Sequence, residues 1–208
     1  MGGIIKNIKE QTKNMDAKEK FDYIRTYYWY HILGICAFVF LVIFLIRHFA
    51  FPEEKPLFTC ALVNQQIDQD RDESLQNNFA ENSGISKKQI VFDSDYVISY
   101  DGSKKEGNNE SSFDKFFFQW SGGELDAVVM DKDFLEYCID VGGEFYQTED
   151  FDTGNLTLCQ VDGVSVIALG GTAFKESLLG DDLVVAFPAT GKHKEACQKF
   201  VDYLKEKQ

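Results

Sequence analysis

One stretch constrains this chain more than any other: His31–Ile46, HILGICAFVFLVIFLI, sixteen residues without a formal charge when the histidine is neutral. With its flanks, from Tyr28 to about Phe49, it reaches the ~20 residues an α-helix needs to cross a ~30 Å hydrocarbon core. It divides the chain into a basic head and an acidic body. Residues 1–51 carry seven Lys/Arg against four Asp/Glu, a net +3, whereas residues 52–208 carry fourteen against thirty, a net −16.

The flanks orient the stretch. Asp16 and Glu19 have capping-box spacing, and Ala17, Phe21, Ile24 and Tyr28 follow at helical intervals. A helix is therefore expected to start here and run into the membrane. Tyr27, Tyr28, Trp29 and Tyr30 fall where the headgroup layer should be, and amphipathic rings suit that interface. Lys6, Lys9, Lys13, Lys18, Lys20 and Arg25 precede the span, whereas only Arg47 and Lys55 follow it closely. The positive-inside rule then predicts a cytoplasmic N-terminus and an outer body, with Arg47 and His48 snorkelling outward. About thirty residues before the apolar run and the lack of a closing A-x-A site argue for an uncleaved signal anchor. Leu33–Cys36 superficially matches a lipoprotein box, but it lies at the wrong end of the run and Ile35 is too bulky. Met1–Lys13 sets Ile4, Ile5 and Ile8 against lysines and fits a membrane-surface helix or a frayed terminus equally well. The expected organisation is a cytoplasmic head (1–27), an anchor in the lipid bilayer (28–50), a linker (51–56) and an extracytoplasmic domain (57–208).

The body alternates strand and helix patterns. Leu57–Val63, Gln89–Ser99, Leu125–Met130 and Leu183–Phe187 read as strands, and Leu156–Gln160 with Val164–Leu169 as a hairpin turning at Asp162-Gly163. Helices are expected over Ser74–Ala80, Phe113–Trp120, Lys132–Cys138 and Lys192–Lys205, with a polar loop at Asn64–Asp72 and a turn region at Asp101–Asn109. This order predicts an α/β fold, one mixed sheet with helices packed on it. The acidity argues against nucleic acid, because phosphate binding needs Lys and Arg.

Two stretches carry a resemblance. Gly123–Asp131, GELDAVVMD, leads after Lys132 into DFLEYCIDVGGEFYQTEDF, and LVVAFPATGKHKEACQKFVDYL closes the chain. These resemble the extracellular solute-binding proteins, in which a G-x-x-D-hydrophobic strand precedes a helix and a G-x-F segment. Asp126, Gly143 and Phe145 fall on those positions, and Ala196, Phe200 and Leu204 on the closing helix. The resemblance implies a fold like one lobe of a periplasmic binding protein, without assigning ligand residues. The head, KEKFDYIRTYYWYHILG, resembles juxtamembrane segments of small single-span proteins of Gram-positive anaerobes, which implies a bacterial cell membrane.

Candidate chemistry is sparse. Asp68-x-Asp70-x-Asp72 copies the start of a calcium loop, but Glu73 stands where glycine is needed and Phe79 where the twelfth ligand belongs. His193 and Cys197 are spaced i, i+4, too few for a zinc site, and no Asp or Asn can be singled out to orient the histidine as a base. Gly170-Gly171-Thr172 lacks P-loop spacing. Asn109-Glu110-Ser111 and Asn155-Leu156-Thr157 match glycosylation sequons. Cys36 is an apolar filler in the span. Cys60, Cys138, Cys159 and Cys197 allow three disulfide pairings or buried free thiols. No cofactor, metal or catalytic residue is expected. Phe116, Phe117, Phe145 and Tyr146 are the aromatic residues expected to line a binding groove. The leading expectation is a non-enzymatic cell-surface domain binding a membrane or surface protein or a ligand. A reduced solute-binding module of a transporter is the alternative, and a surface hydrolase a remote one.

Overall fold

A computed structural model describes residues 10, 13, 15–50, 55–100, 110–172, 174–180 and 182–206. The surface helix expected in the first thirteen residues (10 and 13 excepted), most of the 51–56 linker and the turn region 101–109 lie outside these. Contacts divide the chain into two units, Met1–Glu53 and Glu54–Gln208.

The first unit is dominated by one helix, α1 (Ala17–Ala50). The expected capping box forms: the Glu19 N–H donates to Asp16 Oδ1 at 2.8 Å and the Asp16 N–H to Glu19 Oε2 at 3.1 Å. Within α1, Arg25–Arg47 is long and apolar enough to cross a membrane, with a mean hydropathy of 2.5. Its large apolar side chains are exposed, Phe38, Phe40 and Phe44 among them. In water such a surface would be costly, at ~25 cal/mol per Å².

The second unit is built on a six-stranded sheet in the order β2-β1-β3-β6-β5-β4. Its strands are β1 (Phe58–Val63), β2 (Ile90–Tyr96), β3 (Ala127–Asp131), β4 (Leu158–Val161), β5 (Val164–Ala168) and β6 (Leu183–Ala186). β1 pairs in parallel with β2 and β3, and the β3–β6, β6–β5 and β5–β4 pairs are antiparallel. Among the described residues the α-helices of the body are α2 (Gln69–Ser83), α3 (Glu110–Gly122), α4 (Lys132–Asp140) and α5 (Lys194–Glu206).

Both sheet faces are covered, which is why β1, Thr59 apart, and β3 up to its last residue Asp131 are apolar rather than alternating. Phe58, Cys60 and Leu62 of β1 point to one core with Phe79 of α2 and Phe200 of α5. Ala61 and Val63 point to the other, with Phe116 of α3 and Phe134 of α4. The outcome is the expected α/β class with one mixed sheet.

Local signals set the boundaries. α2 begins earlier than expected, inside the supposed polar loop, because Asp68 caps it by accepting the Arg71 N–H at 3.0 Å. Asp131 caps α4 the same way, accepting the Phe134 N–H at 2.8 Å. The β4–β5 hairpin turns at Asp162 (φ 45°) and Gly163 (φ 82°), as the Asp-Gly pair predicts for a two-residue turn.

Candidate functional site

The helices α3 and α4, side by side on one face of the sheet, leave a groove of about 340 Å³. Phe113, Phe117 and Trp120 come from α3, Tyr137 from α4, and Val141 and Gly143 from the turn that follows. Helical phase explains the selection. Phe116 and Trp120 face the sheet, whereas Phe113 and Phe117 sit one step round the helix at its rim. Phe113 and Phe117 rings lie 4.7 Å apart, and Phe117 stacks on Trp120 at 6.3 Å and 16°. Gly143 is required for this packing. A Cβ there would stand 2.6 Å from the Cys138 carbonyl oxygen and 3.0 Å from the indole. The groove falls at the lower end of the size range for ligand pockets and is open on one side.

Of the four aromatic residues expected to share a groove, Phe117 lines this one. Phe116 is wholly buried beneath it, contacting Trp120 and Phe134. Phe145 is buried against Trp120 with ring centres 4.8 Å apart. Tyr146 belongs to the opposite face, beside Phe151 and 4.8 Å from the Lys194 ammonium. The four residues therefore do not share one groove: one is at the rim, two lie in the core beneath it and one is elsewhere. A strand side chain reverses face with each step, and Phe145 and Tyr146 are neighbours in an extended segment.

A second constellation joins residues far apart in sequence. Asp126, 1% exposed, lies just before β3. It accepts the Thr59 N–H at 3.0 Å and the His193 N–H at 3.2 Å. His193 Nδ1 stands 3.1 and 3.2 Å from its two carboxylate oxygens. The Cys197 thiol donates to the Asp126 carbonyl oxygen at 3.3 Å. Burial pushes the Asp126 carboxyl above the ordinary carboxylate range, against the pull of the Thr59 and His193 donors. Burial likewise raises the Cys197 thiol, with the Asp126 charge adding to it. The thiol is therefore held protonated, which suits a structural cysteine and not a nucleophile. The orienting acid that the sequence did not single out is Asp126, yet its carboxylate occupies the N-terminus of α5 as a structural anion.

Beside His193 lies a pocket of about 380 Å³ whose lining includes Lys192, Lys194 and Lys199. Each ammonium is already engaged: Lys192 with the Gly122 carbonyl at 2.6 Å, Lys194 with Asp150 at 2.9 Å, and Lys199 with the Ser83 carbonyl at 3.0 Å.

Two acids of the Asp68-x-Asp70-x-Asp72 triplet are spent on structure. Asp68 caps α2, and Asp72 accepts the Ser94 N–H at 3.0 Å and pairs with Arg71 at 3.1 Å. Among the described residues no cluster of metal-ligating side chains occurs, and the five cysteines are free thiols. Asn64, at φ 56°, accepts the Ile98 N–H at 2.8 Å through its carbonyl oxygen, and its buried Nδ2 has no hydrogen-bond partner among the described residues.

No protein-family model, curated protein or solved structure matches this chain.

Proposed function

We propose that this chain is a single-span protein of the bacterial cell membrane. Its N-terminus is cytoplasmic, residues 28–50 anchor it, and the domain from residue 57 onward is displayed outside. There it binds a partner protein through the groove between α3 and α4. The groove is the observation that carries the binding reading: it is lined by half-buried aromatic rings, Phe113, Phe117 and Tyr137, on a body with two well-filled cores. Orientation rests on the contrast between the basic head and the acidic body.

A photo-crosslinking residue at Val141, which is exposed and lines the groove, should form a discrete adduct in intact cells. The same probe at Asn77, exposed on α2, should not. Equal labelling from both positions, or none from either, would contradict a partner site at the groove.

A reduced solute-binding module is the second reading. One observation favours it: the two stretches that carry that resemblance pack as a unit, through the β3–β6 pairing and the Asp126–His193 contact. The single sheet corresponds to at most one lobe. Shifts in the melting temperature of the body with sugars, peptides or amino acids would favour this reading over the first.

A further inference from the structure

We propose that the occupant of the α3–α4 groove is a cationic amphipathic polypeptide segment, one that lays an apolar side chain on the aromatic rings and sets Lys or Arg against an acidic rim. This rests on the reading of the groove as a partner site and names the chemistry of that partner.

Helical geometry places the rim. Side chains three and four residues apart are surface neighbours on a helix. Asp133 and Asp140 therefore flank Tyr137 on α4, and Asp114 flanks Phe117 on α3. All three acids are exposed, and none is in an ion pair among the described residues. The nearby cations are committed elsewhere: Lys115 to Asp93 at 2.7 Å and Asp95 at 3.7 Å, Lys132 to Asp182 at 4.0 Å, and Lys192 to the Gly122 carbonyl. The end of α4 sharpens the pattern. It carries no base in its last turn and finishes on Asp140, so an acid sits at the negative end of the helix where a cation is preferred. A cation brought by the partner would satisfy both the acid and the helix end. Aromatic faces attract ammonium and guanidinium groups as well, Arg above all.

An open groove suits a side chain presented by another polypeptide better than a free solute, which pockets enclose over most of its surface. The acidic body adds long-range attraction for the same class of partner and repels acidic ones.

The chain holds two tryptophans, Trp29 in α1 and Trp120 in the groove. In full-length protein carrying Trp29→Phe, in nanodiscs of zwitterionic lipid, Trp120 is the sole indole reporter. The probes are a short peptide alternating leucine with lysine and arginine, the same peptide with glutamate or serine at the charged positions, free arginine, and tetramethylammonium. The cationic peptide should change Trp120 emission saturably, and added salt should weaken it. The triple substitution Asp114→Asn, Asp133→Asn, Asp140→Asn should reduce its affinity about tenfold or more with an unchanged melting profile. Equal binding of the glutamate or serine peptide, or undiminished affinity in the triple variant, would overturn the cationic class while leaving the groove a partner site. Free arginine or tetramethylammonium binding as tightly as the peptide would overturn the polypeptide assignment in favour of a small cation. If no probe perturbs Trp120, the cationic assignment fails. If the Val141 adduct is also missing, the partner site fails with it.

Discussion

At the residue scale, Asp126 ties the body together. Its side chain fastens the first residues of β1, through Thr59, to the start of α5, through His193. Replacing it with Asn would turn an amide N–H₂ toward one of these donors. Asp126→Asn should therefore destabilise the body by ~1–3 kcal/mol at neutral pH, measured by urea unfolding. The pH dependence follows from the raised carboxyl. A folded-state value above the unfolded one adds stability at low pH, and that addition is lost as pH rises through the folded value. Acidification towards the ordinary Asp value of about 3.9 should therefore widen the gap between wild type and Asp126→Asn. A gap that narrows would contradict the assignment. Gly143→Ala is expected to cost ~1–3 kcal/mol, because its Cβ would meet the Cys138 carbonyl oxygen and the Trp120 indole. A shifted Trp120 emission should accompany the loss. Only part of this was legible beforehand. Asp126 stood out through a family resemblance, and His193 through its spacing from Cys197. Their contact spans 67 residues, and no local pattern encodes it.

At the scale of elements, the strands and helices were readable where apolar periodicity met a capping or turn residue. The β4–β5 hairpin fell where Asp162-Gly163 placed it, and α1 began at the Asp16/Glu19 box. The start of α2 was missed because its first turn, Gln69–Asp72, is wholly polar; the cap at Asp68 was the available signal. The groove was half legible. Aromatic enrichment pointed to α3, but whether Phe116 or Phe117 stood at the rim depended on the phase of α3 against the sheet. Two predictions belong here. A Cβ at Gly163 meets nothing within 4 Å, so Gly163→Ala isolates the strain of φ 82° and should lower stability by ~1–2 kcal/mol in urea unfolding. In α1, an Arg near the middle of the span costs ~2.5–3.5 kcal/mol. The double substitution Phe38→Arg, Leu41→Arg should thus move the protein from the alkaline-carbonate-resistant membrane fraction to the extractable one.

At the scale of the molecule, the two units differ in what they expose. Arg25–Arg47 exposes apolar side chains over its length, while the body buries most of its apolar residues in two cores and turns acid outward. The charge contrast between the units is the basis for the proposal that the body lies outside the membrane. The body's own cysteines cannot report on this directly, because Cys60, Cys138 and Cys197 are buried and Cys159 is half-buried. Exposed positions are needed, such as Lys18 at the start of α1 and Asn77 on α2. The most direct test is labelling of intact cells with a membrane-impermeant thiol reagent, comparing Asn77→Cys with Lys18→Cys above the parent background. The orientation predicts that Asn77→Cys labels in intact cells and Lys18→Cys only after lysis. Labelling of Lys18→Cys in intact cells, with Asn77→Cys protected until lysis, would contradict it.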